Sequence, residues 1–104
     1  MWNLWRRQDG NGLLAGVHFP NQSRSYDVTR RAVRFWGHDR SMERTFFVST
    51  DALQKIQPNL QTDEAGFLRA FDTHRNLIQT IAARVYAGGQ KSSYDLTVAD
   101  FGSA

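Results

Sequence analysis

The chain contains no cysteine. A disulfide framework, a thiol nucleophile and a zinc-thiolate site are therefore excluded, and nothing in cysteine usage points to an oxidising compartment. Long apolar runs are missing too. No stretch approaches the roughly eighteen consecutive apolar residues of a membrane span, so no membrane partner is expected. Arg6 and Arg7 stand where an export signal carries its basic start, but the QDGNG that follows supplies no apolar run, and the expected location is the cytoplasm. There is no internal repeat and no low-complexity block. Lysine is scarce: eleven of the thirteen cations are Arg, which favours bidentate pairing to carboxylate or phosphate over a diffuse lysine field.

What remains is the composition of one packed domain. The 104 residues are 40% hydrophobic and 22% charged, which fits neither a disordered tail nor a membrane protein. A chain of this size buries roughly 65% of its extended surface on folding. The net charge of +3 permits anionic partners without requiring one. It is unevenly spread: through Arg44 there are 8 Arg and 4 acids, and from Thr45 onward 5 Lys plus Arg and 6 acids. The basic character is N-terminal.

The first sixteen residues, MWNLWRRQDGNGLLAG, show no sustained periodicity and are expected to form a loosely ordered extension ahead of a single domain over residues 17–104. The segment VHFPNQSRSYDVTRR, with turn residues at Pro20 and Asn21, either adds an edge strand or lies across the sheet. Regular structure is clear from Ala32. AVRFWGHD alternates, with Val33 and Phe35 on one side and Arg34, Trp36 and His38 on the other, and MERTFFVS places Phe46 and Val48 opposite Glu43, Thr45 and Phe47. The two runs should pair as a hairpin. Ser49 or Thr50 followed by Asp51 is an N-cap signal for a short helix, DALQKIQ, stopped by Pro58. From Thr62, Asp63 and Glu64 onward, Phe67, Phe71, Ile78, Ile81 and Val85 recur at helical spacing. A single helix from Asp63 to Ala87 would be about 37 Å long. Gly88 and Gly89 should break it, after which SYDLTVADF alternates as a final strand. The expected architecture is α+β: a small, mainly antiparallel sheet of hairpin plus final strand, with both helices packed on one face.

FPNQSRSYD (Phe19 to Asp27), AVRFWGHD (Ala32 to Asp39), FFVSTDAL (Phe46 to Leu53), AFDTHRNLI (Ala70 to Ile78) and YDLTVADF (Tyr94 to Phe101) together resemble a family of short proteobacterial proteins known only as domain of unknown function 1488. The resemblance runs in order from about Val17 to Phe101 and implies a compact α+β fold in a bacterial protein. Members of that family begin near the FPN motif, so the first sixteen residues depart from it. No catalytic or binding residue carries over.

Chemical motifs are sparse. GNGLLAG has the outline of a dinucleotide loop but lacks a preceding buried strand, and GGQKSS lacks the glycine before lysine and follows a helix instead of opening one. No cofactor is expected. The histidines, His18, His38 and His74, have no mutual ligand spacing, so a metal site would have to be assembled across the fold, and none is assigned. His38 with Asp39 reads as turn structure, with Asp39 bonding nearby backbone. His74, on the apolar stripe of the long helix, reads as a core histidine with a satisfied hydrogen bond. No nucleophile elbow or carboxylate pair supplies a catalytic residue, so an enzyme is not expected.

The outer sheet face carries the possible binding surface: Arg30, Arg31, Arg34, Trp36 and Phe47. The expected function is a non-enzymatic cytoplasmic binding or regulatory domain acting through a protein partner or self-association. Two uncovered aromatics on one face would make a dimer contact. The alternative is a nucleic-acid binder using arginines for phosphates and aromatics for bases.

Overall fold

The computed structural model describes residues 16–86 and 91–102. All of the expected extension over residues 1–16 except Gly16, and the break at Gly88 and Gly89, lie outside them. The described elements run β1 (Arg24–Asp27), β2 (Ala32–Asp39), β3 (Met42–Ser49), α1 (Thr50–Ile56), α2 (Glu64–Thr73), α3 (Arg75–Tyr86), β4 (Tyr94–Leu96) and α4 (Val98–Gly102). The strands form one sheet in the order β1-β2-β3-β4, antiparallel across the first three and parallel between β3 and β4. This is the α+β fold that the sequence implies, with the segment before Ala32 taking the edge-strand alternative.

Alternation builds the sheet as anticipated. Val33, Phe35, Phe46, Val48, Tyr94 and Leu96 face the helices and are buried. Phe35 sits directly opposite Phe46, with ring centroids 5.4 Å apart. The segment before β2 supplies the edge strand β1, whose Tyr26 ring stacks on Phe67 of α2 at 5.6 Å. Ahead of β1, His18 exchanges both backbone hydrogen bonds with His38, at 2.9 and 2.8 Å. That bridge turns Phe19 inward, where its ring lies 5.8 Å from Phe35 and 5.6 Å from Phe46.

Two expectations fail for local reasons. The long helix is interrupted at His74, whose backbone (φ −108°, ψ 22°) leaves the helical basin between α2 and α3. Thr73, His74 and Asn76 are weak helix formers clustered at one turn. The buried faces, Phe67 and Phe71 before the break and Ile78 and Ile81 after it, keep their spacing, so periodicity alone does not reveal the interruption. His74 is half-buried, with its ring Nε2 3.1 Å from Gln57 Oε1, and belongs to the rim of the core. The final strand likewise stops at Leu96. Thr97 and Asp100 act as a capping pair: the Thr97 N–H donates to the Asp100 carboxylate at 2.8 Å, and Val98–Gly102 becomes a helix that buries Phe101.

The other helices begin as their caps dictate. The Ser49 hydroxyl accepts from Ala52 N–H at 3.0 Å, and the Asp63 carboxylate accepts from Gly66 N–H at 2.8 Å. Gly66 is required by proximity, because a Cβ there would lie 1.7 Å from the Gln61 carbonyl oxygen. Arg24 of β1 clamps α2 through two bonds to Asp72, at 2.9 and 2.7 Å, and Arg75 adds a third at 2.9 Å. The Arg24 hydrogen bond is the chief reason that the Asp72 carboxyl is held below its usual range, with Arg75 reinforcing it.

Gly66→Ala is expected to destabilise the domain by about 1 to 3 kcal/mol, the range for overpacking against atoms that cannot retreat, read from chemical denaturation. Asp72→Asn probes the clamp. Because the folded-state pKa of Asp72 is depressed, its contribution is complete above the unfolded value near 3.9 and is lost as pH falls through the folded value. Both partners are about a third or more exposed, so the loss at pH 7 should not exceed about 1 kcal/mol. The gap between wild type and variant should narrow below about pH 4, as followed by urea unfolding across pH.

Candidate functional site

The face of the sheet turned away from the helices is organised in cross-strand rows. At the hairpin end His18, His38 and Glu43 are neighbours, and the next row pairs Trp36 with Thr45. Ser25, Arg34, Phe47 and Asp95 follow, and then Asp27, Ala32 and Ser49. Alternation fixes which residues share this face. The register decides which of them touch.

Phe47 is only 4% exposed. Arg30 lies over it, with its guanidinium carbon 4.1 Å from the ring centroid, and Arg34 flanks the same ring at 5.4 Å. Arg34 also lies 5.9 Å from the centroid of Trp36, which is half-buried. Cation-π contacts of this kind contribute about 0.5 to 1 kcal/mol at exposed sites and orient the guanidinium plane. Each arginine has an acidic neighbour: Arg30 lies 3.8 Å from Asp95, and Arg34 lies 3.7 Å from Asp27. These are contacts of charge without hydrogen bonds, unlike the close pairing of Arg24 with Asp72. Beside Phe47 the surface dips into an open pocket of about 310 Å³, walled by Arg30, Ala32, Ser49, Asp95, Leu96 and Thr97.

Of the five residues that the sequence singles out, the structure brings Arg30, Arg34, Trp36 and Phe47 together. Arg31 has a different part. Its backbone takes φ 54°, and its carbonyl accepts from Thr50 N–H at 2.9 Å, tying the β1–β2 turn to the start of α1. Asp27 and Asp95 were not singled out by sequence reasoning. The alternation of Tyr94 and Leu96 with Asp95 places Asp95 on the outer face, but only the parallel pairing of β4 with β3 sets it beside Phe47. The hydroxyls at the pocket are committed to helix starts, Ser49 to Ala52 N–H and Thr97 to the Asp100 carboxylate.

Asp39 is a correction to the turn reading. Its carboxylate accepts from the Tyr86 hydroxyl on α3 in a short hydrogen bond, with the Arg44 guanidinium 5.9 Å from the Tyr86 ring. That bond, with burial adding to it, raises the Tyr86 pKa. Of the three histidines, His18 and His38 meet, with ring centroids 6.3 Å apart, and His74 stands away on the helical side. Among the described residues, no three His, Asp or Glu side chains are gathered around a common point as a metal cluster. No helix among them is long and apolar enough to cross a membrane.

Comparison with known proteins bears on the fold. A crystal structure of a protein of unknown function from the DUF1488 family of Shewanella loihica PV-4 superposes with a TM-score of 0.70 at 16% identity, covering 82% of this chain and 96% of that one. No curated protein matches. The family model described as "Protein of unknown function (DUF1488)" matches residues 17–98, which span every strand and the first three helices, and the chain belongs to that family.

Proposed function

We propose that this protein is a non-enzymatic binding or regulatory domain of the bacterial cytoplasm, and that its outer sheet face engages a protein partner through Arg30, Arg34, Trp36 and Phe47. The observation that carries this reading is the arginine roof over Phe47. Arginines set against an aromatic ring have lost much of their conformational freedom before binding, while their loose contacts with Asp95 and Asp27 leave both side chains about half exposed, at 50% for Arg30 and 42% for Arg34. Arginine and aromatic residues are the anchors of protein interfaces.

The same features weigh against a nucleic-acid role. A single-strand binder needs open aromatic faces and a positive track, whereas here Phe47 is roofed by guanidinium and each arginine has a carboxylate beside it. A mixed-charge face suits a protein surface of mixed charge. It also bears on self-association, since the buried Phe47 leaves a smaller apolar patch than two open aromatics would. A second copy remains one form of protein partner, and sedimentation distinguishes it from a different protein.

The test is capture from native lysate by wild type and by an Arg30→Glu, Arg34→Glu double variant, each with and without nuclease. The expected result is a protein retained after nuclease treatment and lost in the variant, whose thermal midpoint stays within a few degrees of wild type. Capture abolished by nuclease, or untouched by the double substitution, overturns the reading.

A further inference from the structure

The sheet ends on β1, and alternation fixes what that edge offers. His38 exchanges both its backbone hydrogen bonds with His18, so every second residue back along β2, namely Trp36, Arg34 and Ala32, directs its backbone groups to the same side. Ser25 and Asp27, which pair with Arg34 and Ala32, therefore turn their own groups toward β2. The N–H and C=O of Arg24 and Tyr26 point the other way, past the edge. Among the described residues they have no hydrogen-bond partner.

Proteins guard such edges with lysine, proline, bulges or charges that project across them. β1 contains no lysine or proline and pairs with β2 without a bulge. Its two charges are drawn elsewhere: Arg24 reaches to Asp72 of α2 at 2.9 and 2.7 Å, and Asp27 turns into the β1–β2 connection, accepting from Arg30 N–H at 2.9 Å. Directly after β1 stands Val28, 74% exposed, the most exposed large hydrophobic side chain among the described residues.

We infer that the edge of β1 is an interface with a second copy of this chain, the two strands pairing antiparallel about a two-fold axis that passes beside Ser25, perpendicular to the sheet. A second copy fits because β1 complements itself in that register. Arg24 exchanges both hydrogen bonds with the partner's Tyr26, and Tyr26 with the partner's Arg24, so every outward group of the strand is used. No like charges stand opposite each other, since Ser25 meets the partner's Ser25 and Asp27 meets the partner's Ser23. Val28 comes opposite the partner's Gln22 and is covered. A register centred on Tyr26 would instead set Arg24 against the partner's Val28, which lies beyond the strand.

The consequence is geometric. The two sheets become one, with both α2 helices side by side beneath the junction, where Tyr26 stacks on Phe67. Their contact adds the area that so short a strand pair lacks. The outer faces carrying Arg30 and Phe47 point the same way and stay open, so this interface is separate from the partner surface proposed above.

Ser25 tests the register. Because its backbone groups face β2, its pairing with the partner's Ser25 is of the non-hydrogen-bonded kind, with Cα atoms about 4.5 Å apart, within reach of a disulfide. The chain has no cysteine, so Ser25→Cys introduces a single thiol. The full chain should sediment as a dimer, and mild oxidation should convert Ser25→Cys to a disulfide-linked dimer, whereas Ser41→Cys, exposed in the hairpin turn, should link far more slowly. Ser25→Lys sets like charges across the axis and should weaken the dimer about fivefold, and mixing it with Ser25→Glu should restore association. Far-UV circular dichroism confirms that each variant is folded. A wild-type monomer at about 100 μM, a dimer in which Ser25→Cys links no faster than Ser41→Cys, or a folded Ser25→Lys that dimerises as wild type does overturns the interface.

Discussion

The structure depends on the contact between Phe35 and Phe46. They face each other across the β2–β3 hairpin, and α2, α3, β4 and the segment ahead of β1 each bring an aromatic ring to one of them. Phe71 of α2 meets Phe35 at 5.0 Å; Tyr94 of β4 stacks on Phe46 at 5.4 Å; Tyr86 of α3 approaches Phe46 edge-on at 6.4 Å; Phe19 touches both. Aromatic pairs contribute about 0.5 to 1.5 kcal/mol each beyond the area they bury. More important here is that a single cross-strand pair ties together helices, a parallel strand and an irregular segment that local propensity would not unite.

This core explains how a short β4 persists. Three residues in parallel pairing contribute few hydrogen bonds, and parallel ladders are somewhat weaker than antiparallel ones. Tyr94 compensates by packing its ring against both Phe46 and Tyr86, and Leu96 is fully buried. With β4 held there, Asp95 must point outward beside Phe47 and opposite Arg30. An acidic wall of the candidate surface is thus a product of packing on the other side of the sheet.

Where chemistry is local, the sequence is legible. Strict alternation in AVRFWGHD and MERTFFVS fixes the hairpin and separates Val33 and Phe35 from Arg34 and Trp36, and Ser49 and Asp63 announce their helices as caps. Where two patterns fit the same residues, it is not. Leu96 and Val98 alternate as a strand does, yet Thr97 and Asp100 close a helical cap between them. Phe67 through Val85 keep one apolar stripe whether or not the chain breaks at His74. The site divides along the same line: Arg34, Trp36 and Phe47 follow from alternation, whereas the meetings of Arg30 with Asp95 and His18 with His38 depend on pairings between distant segments.

Register joins stability to function in this fold. A slip of one residue in β2 against β3 would carry Phe35 to the outer face and Arg34 into the core, at a cost the domain could not sustain. The alignment that seats Phe35 on Phe46 therefore also seats Arg34 beside Phe47 and His38 beside Glu43. Gly37 extends this logic to the N-terminal segment. It is buried, and a Cβ there would lie 2.7 Å from the side chains of both Val17 and Phe19, so its lack of a side chain lets those residues pack inward. With Val17 and Phe19 inward, His18 between them must face outward against His38. The outer face is thus arranged by contacts made on the inner one, and its charged and imidazole groups hold their places without needing strong bonds to one another.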